Sequence, residues 1–96
     1  PSALVCGNDI LALGAMRECQ ARGVVVPEQM SIIGFDDLAL ARQVTPALTT
    51  VRIPIAAMGK AAADFLLTAL AGGHPMAVEL PFKLVIRAST APPPRA

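Results

Sequence analysis

The order of apolar and polar positions along the chain predicts alternating strands and helices. Residues 3–6 form a short apolar run and are expected to be a buried strand. A helix is predicted over residues 10–22, ending at Gly23, because glycine is favoured just past a helix end. Residues 31–35 continue apolar without polar alternation, which is typical of a strand buried on both faces. Strand, helix and strand in this order form a βαβ unit, whose strands are expected to run parallel.

The second half of the chain continues this alternation. Residues 38–44 are predicted to form one or two helical turns that end before Pro46, and the β-branched residues of 48–53 predict a strand. Residues 55–70 are the cleanest amphipathic segment, because their apolar side chains recur at steps of three and four. The chain is therefore predicted to belong to the α/β class.

Residues 80–87 alternate in a way that predicts a strand with one exposed side. The tail, residues 92–96, is rich in proline and is expected to be disordered. The two faces of the predicted strand carry Leu80, Phe82, Leu84 and Ile86 on one side, and Lys83, Val85 and Arg87 on the other.

The composition adds that this chain has more apolar residues than a small domain can hide. It has 96 residues, of which 54% are hydrophobic and 16% charged, and its mean hydropathy is +0.59. Small domains have a high ratio of surface to volume, so part of this apolar surface is expected to meet a partner. No apolar run is long enough to span a bilayer. We therefore expect either an oligomer or a piece of something larger.

Charge and cysteine content exclude some function classes. The net charge of +1 is too small to bring the chain to nucleic acid by itself. Cys6 and Cys19 lack the spacing of a metal or redox motif, and reduced thiols favour a cytoplasmic location. His74 has no second histidine or cysteine nearby, so no metal site and no cofactor are predicted.

Two polar pairs stand directly after the first two predicted strands. Asn8 and Asp9 follow the first strand, and Asp36 and Asp37 follow the second. The carboxyl ends of parallel strands meet at one sheet edge, where open α/β sheets bind ligands. We expect the acidic pair to lie outside any core. The alternative is that these side chains cap a helix or sit solvated in turns. Gly34 is expected where a neighbouring group must come close.

An enzyme is the least favoured class. Asp9, Asp36 and Asp37 could hold Mg²⁺ for phosphoryl transfer, because Mg²⁺ prefers oxygen ligands. No glycine-rich phosphate loop accompanies them, and Lys60 and Lys83 are the only lysines. No serine–histidine or cysteine–histidine arrangement is evident, so we predict that the chain is not an enzyme.

A series of motifs, in order and spacing, resembles one protein family. The series resembles the C-terminal part of the effector-binding domain of LacI/GalR-family bacterial transcriptional regulators, and it covers nearly the whole chain. The motifs are Asn8-Asp9 before Ala12-Leu13-Gly14-Ala15, Val26-Pro27 before Ser31-Ile32-Ile33-Gly34-Phe35-Asp36-Asp37, Thr45-Pro46 before Leu48-Thr49-Thr50-Val51-Arg52, Pro54 with Met58-Gly59, and Leu84-Val85-Ile86-Arg87-Ala88-Ser89-Thr90.

This resemblance implies a periplasmic-binding-protein-like fold of type I, in which two α/β lobes with parallel sheets enclose a small-molecule cleft. Residues 1–91 would be an incomplete fragment of the effector-binding and dimerisation domain, mostly C-terminal lobe plus a helix returning to the N-terminal lobe. The DNA-binding headpiece and the opening strands of the first lobe would be absent. Operator DNA would then be bound by a homodimer through that absent headpiece.

The resemblance also assigns roles to residues. Asn8 and Asp36 match positions that hydrogen-bond the effector, expected to be a sugar or a related metabolite, while Asp9 and Asp37 would support the site. Ile53 stands where the family often has a polar residue, which hints at a less polar effector.

A dimer interface is implied on the first helix, whose apolar positions exceed the single face that packing on a sheet requires. The alternative is ordinary packing on the sheet. The residues assigned to the interface are Leu13, Met16, Arg17, Leu40 and Val44.

The main competing interpretation is a periplasmic sugar-binding protein of an ABC transporter, which shares the fold and the Asn-Asp and Gly-Phe-Asp motifs. Such proteins more often lack the second carboxylate at Asp37 and the closing Arg-x-Ser-Thr. The favoured prediction is thus the effector-sensing and dimerisation portion of a LacI-type regulator.

Overall fold

The computed structural model describes residues 1–95, which form two compact units. The first unit consists of Pro1–Arg52 and residues 83–95, and the second is Ile53–Phe82. In chain order the elements are β1 (Ala3–Val5), α1 (Asp9–Ala21), β2 (Ser31–Ile33), α2 (Ala39–Gln43), β3 (Thr50–Arg52), α3 (Ile55–Leu70) and β4 (Lys83–Val85).

The strands of the first unit confirm the predicted βαβ arrangement. β1 pairs in parallel with β2, with Leu4 opposite Ile32, and α1 forms the connection between them. A parallel bridge between Ile33 and Thr49 extends this pairing to the segment that enters β3. β3 in turn pairs antiparallel with β4. The carboxyl ends of β1 and β2 therefore lie at one edge.

Helix α1 has defined signals at both ends. The Asn8 side chain accepts a hydrogen bond at 2.8 Å from the Leu11 amide, which satisfies one of the free donors of the first turn. Gly23, just past the end, has φ 72°, a left-handed conformation that glycine adopts without strain. The buried side of α1 packs in a small core with residues of β2, α2 and the segment before β3. That core contains Ala12, Met16, Ile32, Ala41 and Leu48.

Helix α3 spans the predicted residues 55–70, but it has no buried residue. Leu66 and Leu67 are more than half exposed, and Leu70 is 74% exposed. The amphipathic pattern therefore predicted the helix correctly, while the second unit by itself gives its apolar face no core. Among the described residues, no helix combines the length and the apolarity needed to cross a membrane.

Two strands are less buried than predicted. β1 was expected to be buried, but Leu4 and Val5 are exposed, Val5 by 84%. Within residues 1–95, β1 has only β2 as a neighbour, so its other edge is uncovered. The second strand was expected to reach Phe35, but β2 ends at Ile33 and Phe35 is exposed.

The last predicted strand, residues 80–87, is correct in part. β4 is shorter, and its exposed side is the fully apolar one: Phe82, Leu84 and Ile86 are at least half exposed. Arg87, from the mixed face, is instead turned inward and makes an ion pair there. Alternation locates the two faces of a strand, but it does not show that the charged residue is the one with an interior partner.

The segment after β4 is held to the core by Ser89, whose side chain is fully buried. Its hydroxyl donates to the Ile32 carbonyl at 2.6 Å and accepts from the Thr49 amide at 2.8 Å. Beyond it, residues 92–95 are exposed and have no helix or strand, and position 96 of the predicted tail lies outside the described residues.

Candidate functional site

The candidate site lies where the chain leaves β1 and β2. The Asp9 amide donates a hydrogen bond at 3.0 Å to the Phe35 carbonyl, which joins the segment after β1 to the segment after β2. Asn8 directly precedes Asp9 in the first segment, and Asp36 directly follows Phe35 in the second. Parallel pairing thus brings both polar pairs to the same edge of the sheet.

Asp9 is fully buried and connects three segments. One carboxylate oxygen accepts from the Thr50 hydroxyl at 2.6 Å, and the other accepts from the Leu38 amide at 2.7 Å. Asp9 also lies in the first turn of α1, where the helix dipole favours a negative charge. These contacts let a carboxylate remain in the interior and fix the edge around it.

Position 34 requires glycine, because Asp9 lies too close to leave room for a side chain. A Cβ at position 34 would overlap the Oδ1 of Asp9 and come within 3.1 Å of its Cα, with Leu48 Cδ2 at 3.0 Å. The prediction that a neighbouring group approaches Gly34 is confirmed. The sequence Gly-Phe-Asp-Asp therefore begins with a residue that lets α1 pack against the end of β2.

Asp37 is an interior residue, so the expectation that the acidic pair lies outside any core is wrong for this member. Its side chain is 4% exposed, and its two oxygens pair with Arg52 Nε and Arg87 Nη2, both at 2.7 Å. Burial by itself raises the pKa of this carboxyl, but the hydrogen bonds and positive charges of Arg52 and Arg87 outweigh it. The pKa of Asp37 therefore lies below its ordinary value. The ion pairs with Arg52 and Arg87 thus compensate for the burial of the Asp37 carboxylate.

The backbone of the acidic pair adopts a conformation that side chains rarely allow. Asp36 has φ 112° and Asp37 has φ 55°, both in the left-handed region. Such residues cost on the order of 1–3 kcal/mol each and persist only where surrounding contacts fix them. The Asp36 amide donates to the Val51 carbonyl at 2.9 Å, which is one of these contacts.

Asn8 and Asp36 retain free polar atoms, and both residues are half-buried. The Oδ1 of Asn8 is occupied by the helix cap, which fixes the side chain and leaves its amide nitrogen as a donor. Among the side-chain hydrogen bonds within residues 1–95, none uses Asn8 Nδ2 or the Asp36 carboxylate. The edge thus offers one fixed donor and one carboxylate acceptor.

This pair of groups suits a neutral, hydrogen-bonding small molecule. A carboxylate can accept from two hydroxyls or ring N–H groups, and these charge-assisted bonds are the stronger kind. An amide nitrogen donates in return to a hydroxyl or ring oxygen. In the part of the chain that the structure describes, no three histidine, cysteine or acidic side chains group as metal ligands.

The remaining predicted site residues differ in placement. Ile53 is the first residue of the second unit, and its role in binding stays a prediction. Leu13, Met16, Arg17 and Val44 line an open groove of about 770 Å³, together with the segment Gly23–Val26 and Pro46. Leu40 is not among the lining residues and is 47% exposed. Four of the five residues assigned to a dimer contact thus share one concave surface.

Sequence reasoning included Thr50, Arg52 and Arg87 in the family motifs but gave them no role at this edge. The Thr50 hydroxyl, besides donating to Asp9, accepts from the Asp37 amide at 3.3 Å. Arg52 and Arg87 lie 15 and 50 residues from Asp37 along the chain. The available signal was Arg87 itself, a charged residue within an otherwise apolar run.

Comparison with known proteins identifies the domain type. Residues 1–90 match the family model of the periplasmic binding protein-like domain. The chain is 45% identical over 96 residues to the HTH-type transcriptional regulator MalR of Streptomyces coelicolor, an alignment that covers 97% of this chain and 28% of MalR. The chain therefore spans less than a third of that relative's length.

Solved structures of transcriptional regulators are also similar to this chain. The crystal structure of a LacI family transcriptional regulator from Mycobacterium smegmatis superposes with a TM-score of 0.85 at 36% identity, covering 97% of this chain and 34% of that one. The transcriptional regulator CelR, solved as a cellobiose complex, gives a TM-score of 0.82 at 31% identity, covering 92% of this chain and 28% of CelR.

Proposed function

Because this chain belongs to the periplasmic-binding-protein-like domains of LacI-type transcriptional regulators, we propose that it forms part of the effector-binding domain of such a regulator. The effector is a small hydrogen-bonding metabolite, a sugar or a similar molecule. Asn8 and Asp36 bind it directly, and Asp9 and Asp37 support them.

The observation that carries this proposal is the pair of free polar atoms on a rigid edge. The Asn8 side chain is fixed by its cap and the Asp36 backbone by its bond to Val51, so this side chain and this backbone do not have to be ordered when ligand binds. Preorganised groups of this kind lose less entropy on binding. CelR, which shares this fold, was solved with a disaccharide, and this supports a sugar-like effector here.

The similarity to transcriptional regulators favours this function over the transport alternative. The relatives are transcriptional regulators, which supports a role other than catalysis for this chain. A role in gene regulation implies a cytoplasmic location, where the protein reaches DNA through a headpiece outside this chain.

A homodimer is the second part of the proposal. The groove lined by Leu13, Met16, Arg17 and Val44 is concave and mainly apolar, and Leu40 is exposed on the neighbouring helix α2. Apolar surface of this kind is stabilised when a partner covers it. Two copies that meet through these residues would join two headpieces to one operator, so that effector binding at one site alters DNA binding at another.

The test is calorimetric titration of the full-length protein with cellobiose, maltose, ribose and hypoxanthine. At least one of these is expected to bind, and Asp36→Asn is expected to weaken it about 10- to 100-fold, since a hydrogen bond to a charged group contributes about 1.5–3 kcal/mol. Asp64→Asn, which alters an exposed pair on α3, should bind as wild type. Equal affinity of wild type and Asp36→Asn would contradict the proposal.

A further inference from the structure

The position of Asp36 depends on contacts on both of its sides. On the amino-terminal side its own amide is bound to the Val51 carbonyl. On the carboxyl-terminal side the next residue, Asp37, is held through its amide by Thr50 and through both carboxylate oxygens by Arg52 and Arg87. The Asp36 carboxylate is thus free, while the Asp36 backbone and the Asp37 side chain are both held.

The three residues Asp37, Arg52 and Arg87 form what we call the clasp. The clasp joins three separate segments of the first unit: the turn after β2, the last residue of β3, and the chain beyond β4. Arg87 is fixed further, because its Nη1 donates to the Leu48 carbonyl at 2.9 Å and its amide donates to the Thr49 hydroxyl at 2.9 Å. The Arg87 side chain is 11% exposed, so this part of the clasp is shielded from solvent.

The clasp acts on a turn that would otherwise relax. Two consecutive residues other than glycine at positive φ are unfavourable, and such conformations persist where neighbouring contacts over-determine them. The side-chain contacts that hold this turn are those of Arg52 and Arg87 with the Asp37 carboxylate. Releasing its carboxylate would let the turn move toward ordinary φ values, and the neighbouring Asp36 would move with it.

From this geometry we propose that Asp37 is a positioning residue for effector binding: the clasp of Asp37, Arg52 and Arg87 holds the Asp36 carboxylate in the place where it meets the effector. This inference rests on the proposed function of Asp36. It extends the proposed site to Arg52 and Arg87, which act by holding Asp37, and it gives the second carboxylate of Gly-Phe-Asp-Asp a role.

Asp37→Asn is the informative substitution. Asparagine has nearly the same shape and tolerates left-handed backbone at least as well as aspartate, so the change removes the charge without adding backbone strain. Asp64→Asn is the matched control, because it makes the same chemical change in the exposed Lys60–Asp64 pair. Both variants are made in the full-length protein.

The first measurement needs no effector. A crystal structure of the full-length Asp37→Asn variant is expected to show Asp36 with a φ outside the left-handed region and its carboxylate displaced, whereas Asp64→Asn retains the wild-type turn. An unchanged Asp36 in the Asp37→Asn structure would overturn the proposal. Because no ligand is involved, this result stands apart from any failure of Asp36 to bind sugars.

The second measurement separates positioning from general destabilisation. With cellobiose, maltose, ribose or hypoxanthine as probe, whichever binds, Asp37→Asn is expected to weaken affinity about tenfold in the wild-type background and hardly at all in the Asp36→Asn background. A general structural effect would weaken both backgrounds equally, and that result would overturn the proposal. If none of the four probes binds, the proposed function is challenged, and the crystal structure still decides the conformational claim.

A second variant guards against misfolding of Asp37→Asn. Arg52→Gln removes only the more exposed partner and leaves the Asp37–Arg87 pair, so a smaller displacement and a smaller loss of affinity are expected. Arg52→Lys keeps a positive charge near Asp37 and should recover part of the loss. Equal turn geometry and probe affinity in wild type, Arg52→Gln and Arg52→Lys would count against the clasp.

Discussion

The two units of this chain hold their helices in different ways. In the first unit, α1 has an ambiguous apolar pattern, yet Ala12 and Met16 are buried and its first turn carries the buried Asp9. In the second unit, α3 has the clearest amphipathic pattern of the chain, yet no residue in it is buried. The comparison shows that periodicity predicts where a helix forms, while burial depends on what the rest of the structure places against it.

Polar contacts mark the same difference. The first unit contains buried polar side chains that bond across long sequence distances, such as Asp9 to Thr50 and Ser89 to Ile32. The side-chain hydrogen bond within the described part of α3 is the exposed pair of Lys60 and Asp64, four residues apart. Substitutions in the first unit should therefore lower the free energy of unfolding more than similar substitutions in the second unit.

The largest expected effect is that of Gly34→Ala. The new methyl group would overlap Asp9 and press on Leu48, so unfolding of the full-length protein by urea should show a loss of about 3 kcal/mol or more. The matched control is Gly59→Ala in α3, where a Cβ meets nothing within 4 Å. This control should be stabilising by about 0.5–1 kcal/mol. Similar effects of the two substitutions would contradict the contrast between the units.

Asp9→Ala is next in size. It leaves the Thr50 hydroxyl and the Leu38 amide without their acceptor, and buried groups left unpaired in this way cost about 2–3 kcal/mol in total. Glu18→Gln serves as the control, because Glu18 is exposed at the other end of the same helix. Thermal unfolding followed by circular dichroism measures both. A near-neutral Asp9→Ala would show that this carboxylate does not hold the edge together.

Asp37→Asn should destabilise the first unit by about 2 kcal/mol at neutral pH, because it leaves Arg87 with less compensation in a shielded place. The pKa of Asp37 is lower in the folded state than in the unfolded state, where it has its ordinary value near 4. Its contribution is therefore complete above that ordinary value and is lost as pH falls through the lowered folded pKa.

The stability of wild type and Asp37→Asn should accordingly converge as pH falls below about 4, when urea midpoints are compared between pH 7 and pH 2.5. Arg52, Arg87 and Asp36 are the charged groups near this carboxyl, and the arginines stay protonated throughout this range. A difference between the two proteins that stays constant with pH would contradict the ion-pair explanation.

Asn8 gives the smallest expected effect on stability and a clear separation of its two roles. Asn8→Ala removes the cap of α1 and should cost about 1 kcal/mol, whereas Asn8→Ser keeps an oxygen that can cap and should cost little. Both variants lose the amide donor, so both should weaken binding of the probe sugar or purine. If Asn8→Ser bound the probe as wild type does, Asn8 would be a helix cap alone.

The sequence contained most of the architecture. The βαβ unit, the end of α1 shortly before Gly23 and the bounds of α3 followed from apolar spacing and from glycine and proline positions, because these features are local. The close approach at Gly34 was also predictable, since a glycine at the end of a buried strand needs a reason. The shared edge that carries Asn8 and Asp36 followed from the parallel strands, and the family motifs added the expectation that these two residues bind the effector.

The interior position of Asp37 was not predictable in the same way. Its burial depends on Arg52 and Arg87, which are distant in sequence, and no periodic pattern connects an acidic turn to an arginine 50 residues later. The sequence pattern likewise did not show which face of the last strand is exposed, and in the structure apolar Leu84 is exposed while Arg87 is turned inward. Pairwise charge contacts between remote segments are the information that apolar patterning lacks.

The most direct test of the central claim is a crystal structure of the full-length protein with the tightest-binding of cellobiose, maltose, ribose and hypoxanthine. We predict that Asn8 Nδ2 and the Asp36 carboxylate both lie within hydrogen-bond distance of that molecule, about 3 Å. A bound molecule that touches neither side chain would contradict the assignment of this sheet edge as the effector site.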